Sequence, residues 1–225
     1  MEPDTLDKVA DATRSLAETG KKTLELVASC GRVIKGPVVE LAGLLEDRLK
    51  FARWGLQLAF MEKANAIMKA RGLDQPTREL PLNFVLPLLT TAAFEEDDDL
   101  QEVWARLLVN AGDKTTEMEL RTAYVEILRG MSALDVKNLA GMAKVTLAMP
   151  HGKHCTLMTA GLPDSAEPYS NHFRGGRAIP PELGISLANL ARLGCAMPGG
   201  GLDGSVLYDI MTVTDLGLAL YKACS

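Results

Sequence analysis

The chain has 225 residues, of which 47% are apolar and 24% charged, and its net charge is −5. That apolar share excludes wholesale disorder, and the length allows one large domain or two small ones, either with a respectable core. The negative balance gives no general attraction to nucleic acid or anionic membrane, and aromatics at 5% leave the core to Leu, Val, Ala and Met.

Cys30, Cys155, Cys195 and Cys224 are far apart and form no CxxC pair. Zinc knuckles and disulfide frameworks are therefore excluded, and a reducing compartment is expected. The opening MEPDTLDKVADATRS has acids where a secretory leader carries a basic run followed by an apolar one. The longest uncharged run, Leu80 to Phe94, has 15 residues broken by Pro81 and Pro87, too few to span a bilayer as a helix. The expected location is cytoplasmic.

Along the chain, Asp4 caps a first helix in which Leu6, Val9, Leu16, Leu24 and Val27 recur at helical spacing to about Ser29. A second helix follows Gly36-Pro37, with Leu41, Leu45, Leu49, Ala52, Leu56 and Phe60 on one face and Arg71-Gly72 at its end. Residues 1–75 thus read as an antiparallel helical hairpin. Their twelve basic and eleven acidic side chains offer a membrane surface little attraction, so bundle packing is the expected fate of the apolar faces.

Residues 76–150 read as a central helical bundle. Its early prolines permit short helices or extended pieces between Leu73 and Phe94. Leu100, Val103, Trp104, Leu107, Leu108 and Ala111 then give the clearest helix, with Gln101, Glu102 and Arg106 on the opposite face and Gly112 at its end. Leu120, Tyr124, Ile127, Leu128 and Met131 repeat the pattern. Ser132-Ala133-Leu134-Asp135 has the form of a capping box that starts a helix through Leu139 and Met142.

Residues 151–225 change texture. A long loop with a short strand at Cys155 to Thr159 leads to helical spacing at Ile185, Leu187, Leu190 and Leu193. A turn from Pro198 to Gly204 and a β-rich run from Val206 to Val213 follow, and Thr214 caps a last helix through Leu216, Leu220 and Tyr221. The fold class is mainly α: an N-terminal helical hairpin and bundle, with a C-terminal winged-helix-like α+β module.

The run Glu95 to Asp99 stands directly before an apolar stripe. Clustered carboxylates hold Mg²⁺ or Ca²⁺, run acid–base chemistry, or begin a helix. An EF-hand loop needs acids at alternate positions, a central glycine and a distal Glu, and none of that spacing is here. A helix start is expected, because the free N–H groups of a first turn favour negative charge.

His151, His154 and Cys155 are close in sequence and His172 is not far off, but zinc wants four ligands at recognisable spacing and no second pair exists. Cys155 with either His154 or His172 has no orienting third residue to make it a nucleophile. The run from Gly199 to Gly204 fits GxGxxG, yet a helix precedes it and a β-run follows, the reverse of a dinucleotide loop. No metal, cofactor or catalytic residue is expected. Between His172 and Ser225 four bases meet four acids, and the reading helix of a winged module would offer DNA only Arg192, so nucleic acid is not expected.

The stretch LPLNFVLPLLTTAAFEEDDDLQEVWARLLVNAGD resembles the Abi-alpha family of bacterial abortive-infection proteins. The resemblance rests on Glu95, Glu96, Leu100, Gln101, Trp104, Ala105, Leu107 and Leu108 after a proline-flanked apolar segment. YVEILRGMSALDVKNL looks like the family's helix and Ser-led cap. LANLARLGCAMP and YDIMTVTDLGLALYKAC look like its C-terminal helix, turn and ending, with Val213 where Leu is commoner. It covers roughly residues 36 to 224 and implies phage defence without supplying a catalytic residue. The expectation is a non-enzymatic defence protein acting through protein or membrane partners, with self-association possible; the alternative is a winged-helix DNA-binding regulator.

Overall fold

The computed structural model of the chain describes residues 54–149, 155–169, 178–201 and 204–225. The expected helix from Asp4 to Ser29, the turn at Gly36-Pro37 and with them the N-terminal hairpin lie outside the described residues. In chain order, α1 covers Trp54–Ala70, α2 Leu82–Ala92, α3 Asp98–Gly112, α4 Thr122–Arg129 and α5 Ala133–Ala148. Then come β1 Thr156–Met158, β2 Glu167–Pro168, α6 Pro181–Arg192, β3 Ala196–Gly200, β4 Val206–Val213 and α7 Asp215–Ala223. The described chain is mostly helical, with one small antiparallel sheet near its C-terminal end. None of its helices is long and apolar enough to cross a membrane.

Local chemistry explains the helix ends. α1 stops where Gly72 takes φ +70°, with Leu73 N–H donating to Met68 O at 2.9 Å and Gly72 N–H to Lys69 O at 3.0 Å. This double bond pattern with a left-handed glycine is a Schellman stop. Gly194 repeats it at the end of α6, where Cys195 N–H reaches Leu190 O at 2.9 Å and turns the chain into β3. The expected capping box at α5 is present in both directions: Ser132 N–H donates to Asp135 Oδ2 at 2.7 Å and Asp135 N–H to Ser132 Oγ at 3.2 Å. Thr214 caps α7 by accepting from Gly217 N–H at 3.0 Å.

Between Leu73 and Phe94 the structure has one helix that runs through Pro87. Proline inside a helix costs about 3 kcal/mol. Against that, α2 buries Phe84, Val85, Leu88, Leu89 and Ala92, and each large apolar side chain contributes about 1.5–3 kcal/mol, so packing wins. The helix expected over Leu120 to Met131 is shorter, with Leu120 before it and Met131 after it. Gly112 is the last residue of α3, as expected. A Cβ there would fit tightly, 3.3 Å from Pro76 Cβ, and the Gly112 carbonyl accepts from Thr77 and Arg78 N–H.

The sheet has the order β2-β1-β4-β3, all pairs antiparallel. Leu157 lies opposite Met211 and Ala196 opposite Val213, and these inward residues close the core beneath α5 and α6. The turn expected from Pro198 is not one: residues 196–200 form the edge strand β3, and the chain turns only after Gly200. An edge position tolerates proline, and the register slips between Pro198 and Gly199, where a Cβ would stand 3.2 Å from that of Ile210. Among the described residues the buried apolar side chains form one cluster from Phe60 to Ala223, with Trp104, Phe84, Leu107, Met142, Leu187 and Met211 fully enclosed.

Two substitutions test these local arguments. Gly217→Ala should destabilise, although Ala is the better helix former by about 1 kcal/mol, because its Cβ would fall 2.1 Å from Cys195 O. Urea unfolding should show a loss of about 2 kcal/mol or more. Ser132→Ala should cost about 1 kcal/mol by the same measurement, since it removes the acceptor for Asp135 N–H.

Candidate interaction site

The acidic run builds the head of α3. Asp97, in extended conformation, caps the helix by accepting from Leu100 N–H at 3.0 Å, and Glu95 Oε1 accepts from Asp97 N–H at 3.0 Å. Asp98 pairs with Lys63 of α1 and Asp99 with Lys137 of α5, each at 2.6 Å. The Lys137 hydrogen bond and charge hold the Asp99 carboxyl below the usual carboxylate range, and Asp99 raises Lys137 in return. Both groups are largely exposed, so the pair orients α5 more than it stabilises it. Among the described residues no three His, Cys, Asp or Glu side chains gather as a metal ion would require. His151, His154, His172 and Cys30 lie outside the described residues.

Most of the other motif residues face inward. Leu100, Trp104, Ala105 and Leu107 are buried, Leu108 and Glu95 are half-buried, and Glu96 is exposed. Gln101 departs from expectation. Instead of lying on the solvent face it is 2% exposed, because its side chain folds back and Nε2 donates to Glu95 O at 2.8 Å. It therefore closes the loop that precedes its own helix. Asn110, which periodicity does not single out, does similar work at the far end. Its Nδ2 donates to Ala223 O at 2.8 Å and Ser225 O at 3.0 Å, while Oδ1 accepts from Arg71.

Among the described residues, two of the grooves beside this frame border α5. The first lies between α3 and α5 with α7 as its floor, has a volume of about 510 Å³, and is lined by Asp99, Val103, Arg106, Lys137, Lys144 and Tyr221 among others. The second, about 790 Å³, runs between the start of α5 and α6 and includes Arg129, Ser132, Asp135, Ile185, Asn189 and Arg192. Its wall is a polar seam. Asn189 Nδ2 donates to Gly130 O at 2.8 Å and to Asp135 Oδ2 at 2.9 Å, and buried Asn138 donates to Ser186 Oγ at 2.9 Å. Asp135 Oδ1 and Asn138 Oδ1 have no partner among the described residues.

Arg192 lies at this seam, and its guanidinium is engaged: Nε and Nη2 donate to Asn189 Oδ1 at 3.0 and 2.7 Å. Ile185, expected to join Leu187, Leu190 and Leu193 on the apolar face, is instead 72% exposed. The helix turns Leu183, Ser186, Leu187 and Leu190 inward, which leaves Ile185 on the outer side. The signal that sequence reasoning passed over was polar residues on buried stripes: Asp135, Asn138 and Thr146 of α5 occupy the same inner face as Met142.

Cys155, Cys195 and Cys224 are not poised to react. Burial pushes the Cys155 thiol up, Cys195 to about 11 and Cys224 to about 12, the opposite of an activated thiolate.

Geometry and packing thus define a mainly helical protein whose motif caps and fastens its own frame and leaves grooves on either side of α5. The chain belongs to the family described as Abortive infection alpha, whose model matches residues 56–224. Residues 36–55, which also carried the resemblance, fall before that match. No curated protein and no solved structure is matched by the chain.

At pH 8 the raised Cys195 thiol stays protonated, so iodoacetamide should leave this buried residue unmodified in the native protein and label it once urea unfolds the chain. Peptide mass analysis reads the outcome. Rapid native labelling of Cys195 would contradict its enclosure.

Proposed function

We propose that the chain is an abortive-infection, phage-resistance protein that acts by contact with a protein partner and has no catalytic centre of its own. Membership of the Abortive infection alpha family supports the defence role. One observation carries the contact role: α6 keeps its inner face in the core and sets Ile185, 72% exposed, beside an open groove of about 790 Å³. An isolated apolar side chain on a surface needs no explanation. One beside a groove, with Arg129, Glu182 and Arg192 around it, has the composition of an interface centre with a charged rim. The motif residues support the same division, since they hold helices together and leave recognition to surfaces outside the motif.

A second reading has its own support. α6, β3, the loop before Ser205 and β4, with β1 paired to the other side of β4, follow the order of a winged helix in which α6 would read DNA. The charge balance weakens it, and Arg192 is already bonded to Asn189. Retention on DNA at low salt that falls in Arg192→Ala would favour this reading over the first.

A plaque assay in a phage-sensitive host tests the proposal with three chains at near-native level. The parent chain should reduce plaque number. Ile185→Asp should stay folded yet lose at least about tenfold of that protection, as expected for an interface-centre residue. Trp104→Asp should lose both fold and protection, because it buries a carboxylate. Full protection by a folded Ile185→Asp chain would remove the α6 face from the mechanism.

A further inference from the structure

The groove between α3 and α5 has a chemistry that neither the family motif nor the α6 face accounts for. Its volume of about 510 Å³ falls within the range of small-ligand sites. Val103, Val136, Ala140 and Leu220 supply apolar walls. Both of its side-chain carboxylates are already answered, Asp99 by Lys137 and Glu102 by Arg106, each at 2.6 Å. One charge is left over. Lys144 lines the groove, is exposed, and has no ion-pair partner among the described residues.

We propose that this groove binds a linear acyl chain with a single anionic head, the chain lying against Val103, Val136 and Leu220 and the head meeting Lys144. A neutral amphiphile would leave Lys144 unanswered. A polyanion would crowd negative charge against Asp99 and Glu102, whose own cations are already held. An apolar tail matches the walls that Val103, Val136, Ala140 and Leu220 supply. The same chemistry is available from a free fatty acid and from an anionic lipid in a bilayer.

Calorimetric titration of the full chain with decanoate below its micelle concentration, beside decanol, tests the assignment. Lys144→Glu changes an exposed side chain and should keep the fold, while Ala140→Phe fills the groove wall; circular dichroism checks both. Decanoate should bind saturably, about fivefold more weakly to Lys144→Glu and not at all to Ala140→Phe. Decanol should bind the parent and Lys144→Glu chains alike. Cosedimentation with phosphatidylglycerol vesicles that Ala140→Phe abolishes would identify the bilayer as the source, and decanoate binding without cosedimentation would identify a free acid; both support the site. Absence of saturable binding, or binding that both variants retain, overturns it. So does saturation by an acidic helical peptide that decanoate cannot displace, which would make the groove a protein-docking surface.

Discussion

The burial of Trp104 is the constraint on which the rest of the structure depends. Its indole stands at the middle of α3, wholly enclosed, and α1, α2, α5 and α7 all pack against that helix. The Nε1 proton has no partner among the described residues. Leaving it unpaired costs about 1–3 kcal/mol, whereas removing about 200 Å² of ring from water contributes about 5 kcal/mol. The balance favours the ring inside. It also explains why the helix must be placed so firmly at its head: a misplaced start would rotate Trp104 out of its enclosure, and Asp97, Lys63 and Lys137 together prevent that rotation.

Elements whose cause is local were legible in the sequence. The acid run reads as a helix start because first-turn electrostatics is decided by near neighbours. The same holds for the capping box of α5, the Thr214 cap and the β-branched run of β4, whose bounds, Val206–Val213, are those expected. Elements whose cause is tertiary were not legible. Pro87 within α2 is tolerated only because five neighbours are buried, and Gln101 is inside only because Glu95 offers it a carbonyl. Ile185 fits an apolar period on α6 but lies on the wrong side of the helix, since a run of apolar residues cannot say how wide the buried stripe is.

The same division separates frame from surface. Motif residues are those whose spacing is most regular, and they fall at the head of α3 and in the core. Asn189, Arg192, Ile185 and Lys144 fall outside the central motif and line the grooves. The seam between α5 and α6 carries hydrogen bonds from Asn189 and Asn138 where apolar contacts would be simpler, so α6 has one defined rotation against α5. That rotation fixes which side chains of α6 face outward.

The clasp formed by Arg71 and Asn110 has a consequence in time rather than in space. Asn110 joins carbonyls 113 and 115 residues further along the chain, and Arg71 reaches across 154 residues to Ser225 O. Closing loops of that size carries an entropic cost that grows only with the logarithm of length, so the finished structure bears it easily. The order of events is less forgiving. While the chain is being synthesised, α1 and α3 are complete long before α7 exists, and the side of α3 that α7 will cover stays in water until residues 215–225 arrive. The last helix is therefore the piece that turns a half-built bundle into a native protein.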